Sequence, residues 1–314
     1  MIGQSEAFRS VERLIDKMAV YDAPVLIGGE TGTGKELAAR AIHYRGARRD
    51  RPFVPVNCGA LPDSLIESEL FGHRRGAFTD AREDQPGLVA LAHSGTLFLD
   101  EVDALTPKAQ VTLLRFLQDQ QYRPIGGRRD EHADVRVIAA SNHSLDDLVQ
   151  AKHFRIDLLY RLKLMQLELP PLRARKGDVA LLSRHFVQVG AARFACPVRP
   201  LAADTLDWFE RYAWPGNVRE LEHLVYHGLL LSEGRVISID APASLAPSPA
   251  AEALESGRGY RHAKERAIAD FEHAYLVRLI DEARGNVSVA ARIACTERRH
   301  LGRLLKKHRL VRVA

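Results

Sequence analysis

A glycine-rich segment from Gly29 to Glu36 is the first candidate for chemistry in this sequence. It reads GETGTGKE and lies between the apolar run Pro24–Gly28 and a helical pattern, the context in which G-x-x-x-x-G-K forms a P-loop. Its glycines let backbone N–H groups turn towards phosphate oxygens, and Lys35 supplies a positive charge to the β- and γ-phosphates. A glycine-rich turn with a chance lysine is the alternative. The predicted nucleotide contacts are Gly29, Glu30, Thr31, Gly32, Thr33, Gly34, Lys35 and Glu36.

An acidic pair follows a second apolar run. Asp100 and Glu101 come directly after Thr96–Leu99, and a doubly wound sheet binds its ligands at the carboxyl ends of the strands. Asp100 would organise Mg²⁺, and Glu101 would orient and deprotonate an attacking water. Glu36 stands where Ser or Thr normally helps to hold the metal, so Mg²⁺ has to depend more on Asp100 and water. A solvated pair that caps a helix is the alternative.

Short apolar runs alternate with longer helical patterns around these residues. The runs predict strands at Pro24–Gly28, Phe53–Val56, Thr96–Leu99 and Val135–Ala140. The patterns predict helices at Glu36–His43, Ala109–Leu117 and Leu181–Phe194, and a small helical lid at Leu206–Tyr212 and Val218–Leu231. Buried strands of this length separated by helices indicate an α/β fold with a parallel sheet covered on both faces.

Composition excludes membrane-spanning and disulfide-stapled proteins. The chain has 314 residues, of which 46% are hydrophobic and 27% charged, as in a globular protein of two or three domains. No stretch reaches the roughly 18 apolar residues of a membrane helix, and the N-terminus lacks the layout of a signal peptide. Cys58, Cys196 and Cys295 are too far apart for a metal site, so we expect reduced thiols. These features predict a cytoplasmic protein without a membrane partner.

The positive charge is concentrated at the C-terminal end. The formal net charge is +5, but residues 285–314 contain eight Lys or Arg and one acid, hence +7, which leaves −2 for residues 1–284. Asp240–Gly259 is rich in Pro, Ala, Ser and Gly and predicts a linker. A helical pattern follows from His262 to Ala283. A basic segment on a near-neutral body indicates an end that binds nucleic acid.

Five stretches closely resemble the bacterial enhancer-binding proteins, the AAA+ activators of sigma-54 RNA polymerase. They are GETGTGKE (29–36), FVPVNC (53–58), ESELFGHRRGAFTDA (67–81), GTLFLDEV (95–102) and WPGNVREL (214–221). The resemblance runs from Ile2 to about Ile239 and implies an ATPase that uses Mg²⁺. The implied fold is a P-loop AAA+ domain with an α/β subdomain (1–170) and a helical lid (171–239), then a linker (240–260) and an all-α Fis-type helix-turn-helix domain (261–314).

The resemblance also implies roles for individual polar residues. Asn57 matches the asparagine that restrains the catalytic glutamate, and Asn142 matches the polar sensor of the γ-phosphate. Arg219 matches the sensor arginine of the lid. Arg155 and Arg161 match arginines offered to the ATP of the neighbouring subunit, which implies a ring, a hexamer in the family. Without that match, solvated surface arginines are the alternative for both.

The GAFT motif, which lies here in a loop that reads GAFTDA, is a further hallmark of the family. The resemblance implies that the sigma factor is contacted by Gly76, Ala77, Phe78, Thr79 and Asp80. A phenylalanine buried in the core is the alternative for Phe78. The commonest family form is GAFTGA, so Asp80 adds a charge and removes the freedom of a glycine at positive φ. A DNA-binding AAA+ regulator that does not use sigma-54 is therefore the alternative function.

Residues 285–310, GNVSVAARIACTERRHLGRLLKKHRL, resemble the Fis-type helix-turn-helix that ends these activators. The predicted inner faces of its two helices consist of Val289, Ala290, Ile293, Leu301, Leu304 and Leu305. The second helix of such a motif enters the major groove, and the predicted DNA contacts are Arg298, Arg299, Arg303, Lys306 and Lys307. The first two are candidates for base edges and the two lysines for phosphates. A basic helix that only packs or is solvated is the alternative.

These features favour one function over two others. The first is an ATP-driven ring that binds upstream DNA and remodels sigma-54 RNA polymerase through Phe78 and Thr79. The second is the regulator without sigma-54. The third is an AAA+ DNA motor such as a branch-migration helicase, against which the GAFT loop and the tethered helix-turn-helix argue. We expect no receiver or sensor domain within this sequence, because the resemblance starts at Ile2.

Overall fold

The apolar runs of the sequence form the strands of a central sheet. The computed structural model of the chain describes residues 1–62, 65–78, 81–242, 286–294 and 296–307, together with residues 272, 275, 276, 279, 280 and 283. The chain divides into two units, residues 1–240 and residues 241–314.

Nine strands lie among the described residues of the first unit. They are β1 (Val25–Gly28), β2 (Phe53–Asn57), β3 (Gly72–His73), β4 (Gln85–Pro86), β5 (Thr96–Asp100), β6 (Gln121–Tyr122), β7 (Glu131–His132), β8 (Arg136–Ser141) and β9 (Met165–Glu168). Five of them form a parallel sheet in the order β2–β5–β8–β1–β9. The pairs β3–β4 and β6–β7 form two short antiparallel ribbons. All five parallel strands therefore end at the same edge of the main sheet.

Helices cover both faces of this sheet. The α/β part contains α1 (Glu6–Ala19), α2 (Lys35–Tyr44), α3 (Ile66–Phe71), α4 (Leu88–Leu91), α5 (Pro107–Asp119), α6 (Leu145–Gln150) and α7 (Ile156–Leu162). Alternate residues of β5 point into two separate apolar cores, because side chains alternate along a strand. Phe98 packs with residues of α1 and α2, whereas Leu97 and Leu99 pack with residues of α3, α5 and α7. The prediction of a parallel sheet covered on both faces is confirmed.

The predicted elements are present, with ends shifted by up to three residues. Ten of the helices and strands described in the first unit were not predicted, among them β9 and α1. In β9, which reads MQLE at the edge of the sheet, only Leu167 is buried, so the run lacks the continuous apolar character of the central strands. In α1, Phe8, Val11, Ile15 and Met18 are buried at helical spacing, a pattern that the sequence did contain. Among the described residues, no helix is long and apolar enough to cross a membrane.

Three further helices form the lid. They are α8 (Asp178–Arg193), α9 (Ala203–Arg211) and α10 (Asn217–Leu231), after a 3₁₀ turn at Leu172–Ala174. Trp214 is fully buried, and its Nε1 donates to the carbonyl oxygen of Phe209 at 2.8 Å. Trp214 and Asn217 both have φ of +51°. The WPGN segment is thus a tight turn anchored in the lid core, and it fixes the start of α10.

In the second unit, α11 (Val287–Ile293) and α12 (Arg298–Lys307) pack on a small apolar core. Its buried residues are Leu276, Leu279, Ala283, Ala290, Ala291, Leu301 and Leu305. The prediction that Ala290, Leu301 and Leu305 face inwards is confirmed, because all three are buried. Val289 and Leu304, also predicted to face inwards, are partly buried.

The inner-face prediction is wrong for Ile293, which is 44% exposed. The reason is that α11 packs through Val287, Ala290, Ala291 and Ala294, whose three- and four-residue spacing turns position 293 away from the core. Most of the predicted linker and of the helix predicted from His262 to Ala283 lies outside the described residues. Residues 272, 275, 276, 279 and 280 of that stretch are helical.

Candidate functional site

Lys35 lies at the start of α2 with its ammonium group inside the P-loop. Its Nζ donates to the carbonyl oxygens of Gly29 (2.7 Å) and Glu30 (3.1 Å), and to Oδ1 of Asn142. Burial lowers the pKa of this ammonium group, and the nearby charge of Asp100 opposes that shift. The loop therefore holds one positive charge at a fixed position.

The glycines of the P-loop are required by its backbone. Gly29, Gly32 and Gly34 have φ of 146°, 79° and 97°, in the region that favours glycine. A Cβ on Gly32 would also lie 2.2 Å from the carbonyl oxygen of Gly216. Gly34 directly precedes α2, so the loop opens onto the N-terminus of that helix, where free N–H groups and the helix dipole favour a phosphate. This cradle fits the phosphate groups of a nucleotide.

The acidic pair lies beside this cradle, where β5 ends. Oδ1 of Asp100 accepts the backbone N–H of Glu101 at 3.0 Å, and Glu101 is in the left-handed conformation with φ of 54°. Such strained backbone in a non-glycine residue is concentrated at functional sites. Burial raises the pKa of the Asp100 carboxyl, while the Glu101 N–H and the charge of Lys35 oppose that shift.

Asn142 connects the ammonium group of Lys35 to the acidic pair. It follows β8, the strand between β1 and β5, so the parallel sheet brings together residues that are far apart in the sequence. Its Oδ1 accepts from Nζ of Lys35, and its Nδ2 donates to Oε1 of Glu101 at 3.3 Å. One amide therefore bridges the predicted phosphate-binding lysine and the predicted base.

The lid forms the other wall of the cleft. Val218, Arg219 and Glu222 of α10 line it, and the backbone N–H of Val218 donates to the carbonyl oxygen of Gly32 at 3.0 Å. The predicted site residues that line the cleft are Thr31, Gly32, Gly34, Lys35, Glu36, Asp100, Glu101, Asn142 and Arg219. Gly29, Glu30 and Thr33 do not line it, although Oγ1 of Thr33 braces the loop by donating to the carbonyl oxygen of Glu30 at 2.7 Å.

Glu30 contacts the lid instead of the cleft. Its carboxylate accepts two hydrogen bonds from the guanidinium of Arg173, one of them at 2.8 Å, and a third from Nδ2 of Asn217 at 3.1 Å. The bonds from Arg173, followed by the one from Asn217, lower the pKa of Glu30 to about 2. Asn217 also donates to the carbonyl oxygen of Thr31 and accepts the N–H of Leu172. Neither Arg173 nor Asn217 was predicted from the sequence, although the WPGNVREL stretch contained the asparagine.

The side chains beside the phosphate cradle can supply only some of the ligands of a Mg²⁺ ion. Among the described residues, no group of three or more His, Cys, Asp or Glu side chains is placed to hold a metal ion. Glu36, at the position of the usual hydroxyl, forms an ion pair with Arg40 at 2.7 Å. Asp100 remains as a carboxylate at the cleft, and Mg²⁺ typically combines one or two carboxylates with phosphate oxygens and water.

Asn57 lies next to Asp100 because β2 and β5 pair in that register. Its Oδ1 accepts the backbone N–H of Ala60 at 3.0 Å. A Cβ on Gly59 would lie 2.3 Å from Oε2 of Glu101 and 3.4 Å from Oδ1 of Asn57. The two side chains thus flank Gly59, and no hydrogen bond joins them among the described contacts. The restraining role of Asn57 stays a prediction.

Arg155 and Arg161 lie at α7, outside the cleft. Arg155 forms an exposed bidentate pair with Asp157 at 2.7 and 3.0 Å. Arg161 donates to the carbonyl oxygen of Leu117 at 3.2 Å and borders a cavity lined by Pro24 and by residues at the start of β8. That cavity lies at the opposite edge of the sheet from the P-loop. Arg161 is therefore not placed to serve the cleft of its own chain.

Phe78 is 40% exposed, so it is not a core residue. Its ring packs on that of His73 with centroids 4.8 Å apart. Backbone bonds from Gly76 N to Ala81 O (2.8 Å) and from Ala81 N to Phe78 O (3.0 Å) close the base of the loop. Thr79 and Asp80 lie outside the described residues.

Family models match both parts of the first unit. One described as the sigma-54 interaction domain matches residues 1–168, and one described as the AAA+ ATPase lid domain matches residues 173–255. The chain belongs to the family of sigma-54-dependent transcriptional activators. Membership in this family favours the activator interpretation over a regulator without sigma-54. The boundaries predicted at 170, 239 and 260 stay predictions.

Several relatives of this chain are known. The DNA-binding transcriptional regulator NtrC of Azospirillum brasilense is 45% identical over 279 residues, which cover 88% of this chain and 58% of that protein. The response regulator protein PilR of Pseudomonas aeruginosa is 41% identical over 308 residues, 98% of this chain and 69% of that protein. Crystal structures of NtrX from Brucella abortus in complex with ADP and with ATP match with TM-scores of 0.74 and 0.72 at 31% and 32% identity. They cover 98% of this chain and 68% and 69% of those chains. The chain thus spans less than two thirds of the NtrC regulator.

The predicted DNA contacts of this chain lie on α12. The side chains of Arg298, Arg299, Arg303 and Lys306 are exposed. Lys307 is also exposed, and its ammonium pairs with Glu272 at 2.7 Å. Between these side chains, the Cβ position of Gly302 has no atom within 4 Å. A basic, unobstructed surface suits a nucleic acid, and contact with DNA stays a prediction.

Proposed function

We propose that this chain hydrolyses ATP and uses the energy to remodel sigma-54 RNA polymerase at promoters, from a site on upstream DNA. The observation that carries the proposal is the Asn142 bridge between Lys35 and Glu101, beside Asp100, in a cleft that the lid also lines. A cation, a carboxylate base and a polar sensor in mutual contact are the groups that phosphoryl transfer to water needs. The match to the sigma-54 interaction domain supports the choice of partner.

Substrate binding follows from the P-loop and the lid. The phosphates of ATP would bind at the N-terminus of α2 and at Lys35, and Arg219 would approach them from the lid. Asp100, phosphate oxygens and water would hold Mg²⁺, which when bound neutralises charge on the β- and γ-phosphates. The backbone bond between Val218 and Gly32 keeps the lid on the P-loop, so both parts bind one nucleotide.

Hydrolysis would depend on Glu101. Its carboxylate accepts a proton from water as the water oxygen attacks the γ-phosphorus, and the bond from that phosphorus to the β,γ-bridging oxygen breaks. ADP and inorganic phosphate leave. Because Asn142 contacts both Lys35 and Glu101, a displacement of the lysine on loss of the γ-phosphate is transmitted to the base.

A second subunit would complete the site. Arg155 directly precedes α7 and Arg161 lies in its last turn, and a guanidinium stabilises charge on a transferring phosphoryl group. Arg161 borders the sheet edge opposite the P-loop of its own chain, which suits a role in a neighbour's site. Such head-to-tail contacts close into a ring, and we propose a hexamer on the family resemblance.

The output would pass through the GAFT loop to the sigma factor. Phe78→Ala should leave ATP hydrolysis largely intact, because the loop lies outside the cleft, but should abolish ATP-dependent promoter opening. The assay is open-complex formation with purified polymerase and sigma-54, run beside an ATPase measurement on the same samples. Phe194→Ala, which removes another half-exposed phenylalanine, is the matched control and should open promoters normally.

Promoter opening by the wild-type protein decides whether sigma-54 is the partner. ATP hydrolysis without promoter opening, under conditions where another activator of the family opens the same promoter, would reject sigma-54 as the partner. Asp80→Gly restores the common form of the loop and should change promoter opening only modestly if the natural loop is competent.

A further inference from the structure

A largely buried carboxylate supports the Asn142 bridge without being part of it. Asp103 lies in a 3₁₀ turn, Val102–Ala104, directly after Glu101, and its side chain is only 10% exposed. Its two oxygens contact the two residues that flank Asn142. Oδ1 accepts the hydroxyl of Ser141 at 2.8 Å, and Oδ2 lies 2.8 Å from Nδ1 of His143.

The turn that carries Asn142 is also closed on itself. Oγ of Ser141 accepts the backbone N–H of His143 at 3.1 Å and lies 2.7 Å from the carbonyl oxygen of the same residue. A hydroxyl has one hydrogen, so it donates either to Asp103 or to that carbonyl at any moment. Asp103 therefore competes for this hydrogen and ties the turn to the segment of Glu101.

His143 has little else to hold it. Its side chain is 71% exposed, so packing does not fix the C-terminal side of the turn. Its ring contacts the carboxylate of Asp103 at 2.8 Å, which draws the turn towards the strand end that carries the acidic pair.

We propose that Asp103 is a positioning residue for ATP hydrolysis, which keeps Asn142 between Lys35 and Glu101. The inference rests on the proposed ATPase activity. The bond from Asn142 to Glu101 is long, at 3.3 Å, so a small rotation of the turn would break it. Misplacement of catalytic groups by about 1 Å can lower a rate by roughly a hundredfold.

The first test separates turnover from binding. Asp103→Ala should lower kcat by about tenfold or more, whereas KM for ATP and nucleotide affinity should change by less than about twofold. Asp103→Asn keeps an acceptor for Ser141 and a polar partner for His143, and should recover most of the lost rate. Asp146→Ala is the control, because it removes another aspartate, one on α6 that pairs with Lys163 at 2.6 Å and makes no contact with the turn.

The second test asks whether Asp103 acts through Asn142. In an Asn142→Ala background, Asp103→Ala should change kcat by less than about twofold, because the residue that it positions is already gone. Equal fold losses in the two backgrounds would assign Asp103 a general structural role and overturn the inference. A wild-type kcat for Asp103→Ala would overturn it as well.

Two further outcomes keep the test decisive. If Asp103→Ala does not fold, His143→Ala replaces it, because this substitution removes only an exposed side chain. In the wild-type background, His143→Ala should lower kcat. In the Asn142→Ala background, it should leave kcat unchanged. An unchanged kcat in His143→Ala would then reject the inference. Absence of ATP hydrolysis in the wild type would instead reject the proposed function itself.

Discussion

The carboxylate of Glu101 is held in place by its own backbone and by one neighbour. Its left-handed conformation (φ 54°) turns the side chain over Gly59, where any Cβ would lie 2.3 Å from Oε2. The other oxygen accepts from Asn142 at 3.3 Å. Strain of this kind is retained when the surrounding structure enforces it. A base placed in this way needs little reorganisation to accept a proton from water.

Glu101→Gln should keep nucleotide binding and lose hydrolysis. The amide retains the shape and the contact with Asn142, but it does not accept the proton, so kcat should fall by roughly a hundredfold to ten-thousandfold. Steady-state ATPase assays and nucleotide titration measure the two quantities. Glu67→Gln, which alters a paired glutamate outside the cleft, serves as the control. Hydrolysis near the wild-type rate would remove Glu101 from this role.

At the scale of elements, the sequence predicted the residues that come together in the cleft. It predicted less well the contacts that position them. Lys35 and Glu101 follow from local patterns, namely glycine spacing and an acid after an apolar strand. The contact of Glu30 with Arg173 joins residues 143 positions apart, and the link between Asp103 and His143 joins residues 40 positions apart. Such contacts depend on how the lid and the strands pack, which periodicity and spacing do not encode.

The P-loop and the lid are joined by a latch, which consists of Glu30, Arg173 and Asn217. The Glu30–Arg173 pair is solvent-exposed, with 42% and 47% of the two side chains accessible, so its contribution is small. Asn217 adds a partly buried bond to the loop and a buried bond to Leu172. The lid is therefore docked on the phosphate cradle by side chains as well as by backbone.

The latch predicts a specific response to acid. Arg173 and Asn217 lower the pKa of Glu30 from 4.5 to about 2, so its stabilising contribution is complete above pH 4.5 and is lost as pH falls through about 2. Glu30→Gln should thus be less stable than the wild type at neutral pH, and the difference should shrink below pH 4.5. Urea denaturation across this range measures it. A difference that persists unchanged at the acid end would contradict the latch.

The basic face of α12 predicts that two substitutions weaken DNA binding in different ways. Arg298 lies at the start of the helix, where base edges are read, so Arg298→Ala should cost roughly 1–3 kcal/mol of binding and relax sequence preference. Lys306→Ala should weaken binding to all sequences alike and reduce the salt slope by about one. Titrations of operator and unrelated DNA at several salt concentrations separate the two. Identical effects of both variants would argue against this docking of α12.

At the scale of the whole molecule, the position of α7 decides how the ATPase is assembled. The cleft lies at the edge where the parallel strands end, whereas Arg161 borders a cavity at their starting edge. One chain therefore does not bring its own Arg161 to its own Lys35. If Arg161 serves hydrolysis, it does so in a neighbour, and ATPase activity per subunit should rise with protein concentration.

Mixing two inactive variants tests that arrangement directly. The Arg161→Ala chain keeps a complete P-loop but has no arginine for the site of its neighbour. The Lys35→Ala chain keeps that arginine but does not hydrolyse ATP at its own site. Each should be inactive alone. In an equal mixture with random assembly, about a quarter of the sites would pair an intact P-loop with an intact arginine, so roughly that fraction of the wild-type rate should return. The control mixes Arg161→Ala with a chain that carries both substitutions, and it should stay inactive. Rates independent of concentration, with no recovery on mixing, would show that Arg161 does not act across a subunit interface.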